Sequence, residues 1–591
     1  MDQKRLITAI AVSIAILLIF QFLVEPHLPQ PPAPPPAHVA ATQPKQEPAG
    51  GPAAPGAPAT TPPATTHAAV PANVPRVKIA APQLTGSISL LGARIDDLIL
   101  NDYRESLEPN SPKVRLLAPL STNEPYYVQY GWAPAPGETV KAPDSNTVWT
   151  ASADTLSAGQ PVTLSWDNGE GLTFQIRLSV DDEYMFTATQ SVKNASAKPV
   201  KLYAWARIKR DYTPGSEGFN SLYGGINEGL FGVVDGSLHS MTYDSAKSKG
   251  KEANGIAYAA DAKGGWAGIT DKYWLTALIP DRSVPMKVTY RYIDEGSGQY
   301  QVSYLAQDAT TVAAGATASE PWHTFAGAKL VNLLNHYGAE FHIPAFNKAV
   351  DFGWLYLLAR PIFYCLDWLN DLLGNFGLAI LAFTTGVKVL FFPLANYSYR
   401  SMSKMKLLGP KMTALRERLK DDPQKMQQEM MAMYRAEGVN PASGCLPMLV
   451  QIPVFAALYV VIYTTIEMRQ APFFGWIHDL SQPDPTNVFN LFGLIPFDPT
   501  VVPGLGYYLH IGLWPLIMGG TMFLQQKLNP PPPDPVQARL FQFMPVLFTF
   551  MLARFPAGLV IYWTWNNLMS VSQQWLIMRR TRLARPGLAR T

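Results

Sequence analysis

Hydrophobic and polar positions follow several rhythms along this chain. After Lys4 and Arg5 comes an apolar run, Leu6–Val24, of 19 positions. As a helix that run would be about 28 Å long, close to the roughly 30 Å hydrocarbon core of a bilayer. Glu25-Pro26 stands where a cleavage site would need small residues, so a retained N-terminal transmembrane anchor over 1–24 is expected. From 77 to about 340 the rhythm becomes short alternating segments, such as LTFQIRLSV, YMFTATQSV and MKVTYRYI, separated by Gly, Asn, Asp and Pro. Period-two alternation with regular turn signals predicts an all-β sandwich. The spacing then changes to three and four, with Phe352, Leu355, Leu358, Ile362, Leu366, Leu369 and Leu373 on one face. This predicts an amphipathic helix over 345–373, lying in the membrane interface and kinked at Pro361.

Continuous apolar spans follow at about 375–395, 446–467, 509–527, 538–555 and 557–578. With the anchor they predict an α-helical polytopic membrane protein whose core, 374–578, contains five spans. One stretch inside the core, 397–440, is basic and rich in methionine and predicts a helical hairpin. Met402, Met405, Leu408, Met412, Leu415 and Leu419 line one face of its first arm. Asp422-Pro423 supplies an N-cap and a first-turn proline for the second arm, which carries Met426, Met430 and Met433 and ends at Asn440-Pro441.

Composition changes this picture in two places. Residues 25–76 are Pro, Ala, Thr and Gln in runs such as PPAPPPA; they cannot bury a core and read as a disordered tether. The two cysteines, Cys365 and Cys445, lie in or beside apolar segments and imply no disulfide framework. A net charge of +3 is too small to suggest a nucleic-acid protein, but its distribution is informative. The loop after the second span carries nine Lys and Arg residues from Arg400 to Arg435, and the tail 579–591 carries five arginines, whereas 470–508 has none of either. The excess of positive charge puts the hairpin and both termini in the cytoplasm, with the β-domain and 470–508 outside.

The search for catalytic chemistry finds no phosphate-binding loop, no GxSxG, no HExxH and no CxxC. His336 and His342 form the nearest histidine pair, and Asp181-Asp182-Glu183 fits a solvated turn. No enzyme activity, cofactor or metal is expected. Polar residues within the spans are more telling, because a charge at membrane depth costs roughly 2.5–3.5 kcal/mol and marks a functional position. Lys388 sits in the second span with Thr384 four residues away, on one helical face. Gln451 lies between Pro447 and Pro453, and the last span carries Tyr562, Thr564, Asn566, Asn567, Ser570, Gln573 and Gln574. These groups must face one another or a hydrated cavity. Interhelical hydrogen bonding would explain many of them, and Lys388 could snorkel to the headgroups. No Asp or Glu occurs in the central apolar part of another span to pair with it, which favours an unpaired cation in a hydrated groove. The methionine faces could simply close the hairpin, or could hold varied apolar segments. The flanking cations suit anionic lipid or ribosomal RNA.

Long ordered stretches, FFPLANYSYRSMSKMKLLGPKMTALRERLKDDPQKMQQEMMAMYRAEGVNPASGCLPMLVQIPVFAALYVVI and FMPVLFTFMLARFPAGLVIYWTWNNLMSVSQQWLI, resemble the YidC membrane-protein insertases, in the Gram-negative form with a large periplasmic domain. The resemblance implies a five-helix core with a groove open to cytoplasm and lipid, and a β-supersandwich outside. It implies insertion and chaperoning of proteins in the bacterial inner membrane without an energy source. The implied partners are nascent membrane proteins, the Sec translocon, the ribosome with the signal recognition machinery, and the lipid bilayer. Aligned on Phe392-Pro393-Leu394, the family's groove arginine falls on Lys388, so charge is kept and the bidentate fork is lost. Thr384, Gln451, Tyr562 and Trp563 match other groove or substrate-contact positions, and Asn567 joins them from the last span. The rival reading is a solute transporter or lipid flippase with a sugar-recognising β-domain; the absence of an internal repeat between the spans counts against it. An anchored glycan enzyme would need a carboxylate pair in a cleft of the β-domain.

Overall fold

The computed structural model describes residues 74–213, 228–296, 298–419, 422–438, 446–501, 506–529 and 535–583. The expected anchor 1–24, all but the end of the 25–76 tether, residues 584–591 of the tail, and hairpin positions 420–421 and 439–440 lie outside them.

Residues 76–328 fold into two sheets, of eleven and nine strands among the described residues. Strand 172–180 shows why: Leu172, Phe174, Ile176, Leu178 and Val180 point into the core, with Gln175 and Arg177 outward. It pairs antiparallel with 185–194, which pairs in turn with 317–328. In the other sheet, strand 299–306 is buried at every position, between 200–211 and 285–293. Trp266, Trp322 and Phe325 are fully buried inside the sandwich. Helix α1 (Tyr243–Glu252) is inserted between strands and capped by Thr242, whose Oγ1 accepts from Ser245 N. Helix α2 (Val331–Glu340) follows the last strand. Asp181, in the acidic turn, accepts from Tyr337 of α2 and from the amides of Glu183 and Met185, so it closes a turn and anchors a helix.

Helix α3 (Tyr356–Leu373) contains Pro361, buries Ala359, Ile362, Phe363 and Leu366, and ends at Gly374 in the left-handed conformation. Leu357, Trp368 and Leu372 remain exposed on it. Helix α4 (Phe376–Leu390) starts at Asn375, whose Oδ1 accepts from Leu378 N at 3.0 Å. It stops where Pro393 lacks the N–H needed to extend the ladder, and α5 (Phe392–Leu407) departs at 67°. The expected unbroken span 375–395 is therefore a bent pair. Next come α6 (Gly409–Arg418), α7 (Pro423–Ala436), α8 (Leu446–Thr464), α9 (Leu513–Leu528), α10 (Pro535–Leu552) and α11 (Ala557–Leu583). Among the described residues no single helix is long and apolar enough to cross a membrane, while the bent α4–α5 pair passes that test by length and composition.

The bundle centres on α11, which packs against α4, α5 and α9, while α10 packs on α9 and reaches α11 through Phe548 and Trp563. The described residues between α8 and α9, 465–501 and 506–512, lie over one end of the bundle. Gln482 O accepts from Ala557 N at 2.7 Å, Leu480 O from Gly558 N at 2.9 Å, and Asp484 Oδ2 from Trp514 N at 2.8 Å. The sandwich joins at the same end: Glu467 Oε1 accepts from Val331 N at 3.0 Å, Arg469 donates to Arg104 O, and Lys272 Nζ sits 3.8 Å from the Tyr463 ring centroid.

The hairpin's first arm is two helices, α5 and α6, broken at Leu408 ahead of Pro410. Leu408, Met412 and Tyr434 form its small core with Met405, Met430 and Met433. Met402 turns away to pack on Tyr399 and Ile577 of α11. Met426, half-buried, belongs to neither cluster. Asp422 caps α7 through Lys425 N.

Candidate functional site

Lys388 occupies the last turn of α4. Its Nζ donates to Ser570 Oγ at 2.8 Å, and that hydroxyl donates in turn to Asn566 O, four residues back along α11, at 2.8 Å. Gln573 Nε2 approaches Lys388 O at 3.4 Å. Beside them lies a cavity of about 280 Å³ between α4, α5, α8, α9, α10 and α11. Its polar lining is Lys388, Gln451, Gln525, Gln526, Asn529, Asn566, Asn567 and Ser570. Its apolar lining includes Ile452, Phe455, Phe541, Met544 and Trp563. No Asp or Glu lines it among the described residues, so Lys388 is the one charge facing the cavity there.

Five of the six predicted groove residues meet at this cavity: Lys388, Gln451, Tyr562, Trp563 and Asn567. Gln451 donates to Tyr562 OH, tying α8 to α11. Phe455 stacks on Tyr562, with centroids 6.3 Å apart, and meets Trp563 edge-on at 4.5 Å. Asn567 Nδ2 donates to Thr521 Oγ1 at 3.1 Å. Thr384 is elsewhere. It is only 1% exposed, its hydroxyl donates to Ile380 O of its own helix at 2.6 Å, and it does not line the cavity. A threonine can satisfy itself on the carbonyl four residues earlier, and sharing a face with Lys388 did not prevent this. The neighbouring Thr385 accepts from Trp565 Nε1 at 3.1 Å, an interhelical staple.

Sequence reasoning missed Gln525, Gln526 and Asn529. Their signal was present: an amide cluster ending the otherwise apolar run LIMGGTMFLQQKLN. Gln574 Nε2 donates to Asn529 Oδ1 at 3.1 Å, joining α11 to the end of α9. Three buried side-chain carbonyls of α11, on Asn566, Gln573 and Gln574, have no hydrogen-bond partner among the described residues. A buried acceptor left unmade is costly, so this stretch is suited to water or to an entering polar chain. Of the predicted hairpin methionines, only Met402 lines the cavity; Met405, Met412, Met426, Met430 and Met433 do not. His336 pairs with Glu340 at 3.3 Å, and no cluster of three or more metal-ligating side chains exists among the described residues.

Two family models match the chain: one described as 60Kd inner membrane protein over residues 368–584, and one described as YidC periplasmic domain over 76–365. A protein of Granulibacter bethesdensis named membrane protein insertase YidC is 58% identical over 591 residues, covering the whole of both chains. A protein of the same name from Acidiphilium cryptum is 52% identical over 526 residues, covering 88% of this chain and 86% of its own. A solved structure titled as an active YidC insertase with its first transmembrane domain resolved is 18% identical, with a TM-score of 0.35, covering 84% of this chain and 93% of that one.

Proposed function

The chain belongs to the YidC family of membrane protein insertases, inner membrane proteins rather than enzymes, and from that premise we propose how its cavity performs the insertion. The hydrophilic tail of a client enters the cavity, where polar and apolar side chains both line its path. Its acidic groups meet Lys388, the amides of α9 and α11 take over hydrogen bonds that water would have made, and the apolar segment leaves along Phe455 and Trp563 into lipid. A polar recess part-way through the bilayer shortens the apolar distance a tail must cross, which lowers the barrier without a nucleotide.

The observation that carries this reading is the single cation on the cavity wall, held by a neutral serine and facing no carboxylate among the described residues. The basic hairpin supports a cytoplasmic placement near translating ribosomes, the signal recognition machinery and anionic headgroups. The cation-free 470–508 segment supports the opposite side for itself and for the β-domain. Docking on the Sec translocon belongs to the same reading. The test is depletion of the native insertase in cells supplied with Lys388→Glu or with the unaltered protein. Small one- and two-span clients should lose protease-protected insertion in the variant; normal insertion would remove the electrostatic role.

A further inference from the structure

Loop 488–501 presents Leu491, Phe492, Leu494, Ile495, Phe497 and Val501 to the outside, Leu494 at 83% exposure. With Phe489, seven exposed large apolar side chains within 14 consecutive residues exceed the scattered exposure of an ordinary surface. The loop is built rather than loose. Asn487 Oδ1 accepts from Phe489 N at 3.0 Å and its Nδ2 donates to Leu509 O at 2.8 Å. Asn490 Oδ1 accepts from Gly493 N at 2.9 Å and its Nδ2 donates to Phe497 O at 3.3 Å. Phe492 N and Ile495 N bond to Asn487 O and Asn490 O. Leu491 and Phe492 both hold left-handed backbone, with φ of +51° and +59°, a conformation bulky residues adopt only when the surroundings fix it.

The two asparagines thus satisfy several of the loop's backbone groups while the apolar side chains face outward, as a medium without water demands. Charge points the same way. Residues 470–508 hold no Lys or Arg, and within 488–501 the one ionisable group is Asp498. Position points the same way again. The segment is pinned over the bundle end where α8 finishes and α9 and α11 begin, and its Phe473 packs on Gly377 at the start of α4. The chain enters α4 there directly from α3, whose Trp368 and Leu372 are also exposed.

We propose that loop 488–501 is a membrane-embedded foot, seating its leucine, isoleucine and phenylalanine side chains at the boundary between headgroups and acyl chains of the leaflet on the sandwich side. This rests on the reading that the bundle α4 and α8–α11 lies in the bilayer. The foot anchors the 465–512 cover against lipid, so that the closed end of the bundle keeps its place while the cavity end works.

Single cysteines at Leu494 and, as a water-exposed control, at Ser237 on the sandwich are introduced into the full chain carrying Cys365→Ser and Cys445→Ser. Each is spin-labelled and reconstituted in phosphatidylethanolamine–phosphatidylglycerol vesicles. Collision with molecular oxygen is compared with collision with a neutral water-soluble nickel chelate. The label at 494 should favour oxygen several-fold, and the label at 237 should favour the chelate. A chelate-accessible 494 overturns the proposal; a label shielded from both probes also overturns it, because a protein surface then covers the loop. The same vesicles are assayed for client insertion. Vesicles that insert a client with 494 in water refute the foot alone, whereas inactive vesicles with 494 in lipid count against the insertase mechanism and support the foot.

Discussion

Lys388 Nζ donates to Ser570 Oγ at 2.8 Å across the seam of α4 and α11. The partner is neutral and holds the amine by one hydrogen bond. A client carboxylate adds the attraction of opposite charges, which a hydroxyl lacks, so the serine parks the amine without competing for it. Lys388→Arg is expected to keep insertion near the unaltered level, because charge is retained. Lys388→Met should slow insertion of clients with acidic tails by roughly tenfold, equivalent to about 1.4 kcal/mol, and affect neutral tails less. Ser570→Ala should change either rate by no more than about twofold, under 0.5 kcal/mol. Pulse-labelled protease protection of paired acidic and neutral clients measures all three.

Sandwich strands such as 172–180 were legible because each has one wet face, which forces period two into the residues. Helix α1 was not: YDSAKSKGKE has no apolar stripe, and its cap, not its periodicity, sets its start. The cavity was legible through residues that are costly in lipid, Lys388 and Gln451 above all. Thr384 misled because periodicity assigns a face but does not tell whether a hydroxyl bonds its own helix. The bend after Leu390 was written in Pro393, yet an apolar run on both sides of the break concealed it. The seam between sandwich and bundle depends on residues far apart in sequence, Val331 with Glu467 and Arg104 with Arg469, and no local pattern encodes such a pairing.

Glu467 substitutes for a missing cap. The N-cap residue of α2, Leu330, has no side-chain acceptor, and Val331 N donates to Glu467 Oε1 instead. Val331 is buried, so Glu467→Ala strands a buried donor at a cost of about 1–3 kcal/mol. Glu467→Gln retains an acceptor oxygen and should cost less. Thermal unfolding of the purified chain, with limited proteolysis around 328–340, should rank unaltered protein, Gln, then Ala. An Ala variant as stable and as protected as the unaltered chain would remove the cap's role.

Lys329 is 1% exposed, with Nζ donating to Thr270 Oγ1 at 2.9 Å. Burial pushes its amine from the usual 10.5 down to about 7, against the opposing pull of Asp271, Glu228 and Asp351. The unfolded chain therefore holds a proton that the folded chain releases between pH 7 and 10.5. Stability rises with pH across that window, and the penalty is complete below pH 7. Lys329→Met removes it. The variant should gain stability at pH 6, by a few kcal/mol at most, and its advantage should shrink toward pH 10. Parallel unfolding curves for the two proteins from pH 6 to 10 would contradict the assignment.

Gly377 and Phe473 fix how closely the 465–512 cover sits on α4. A Cβ at Gly377 would overlap the Phe473 ring, and Phe473 N is itself held by Ile477 O at 2.9 Å, so the ring has little room to retreat. Gly377→Ala is expected to destabilise the chain by about 1–3 kcal/mol through overpacking, despite alanine's better helix propensity. The loss should come at the covered end of the bundle and leave the cavity lining in place. Adding Phe473→Leu should recover part of it, since residues in contact show non-additive effects. Unfolding of the two single variants and the double variant completes the cycle. Additive losses would mean that the cover does not rest on Gly377, and that the bundle tolerates a looser seal at that end.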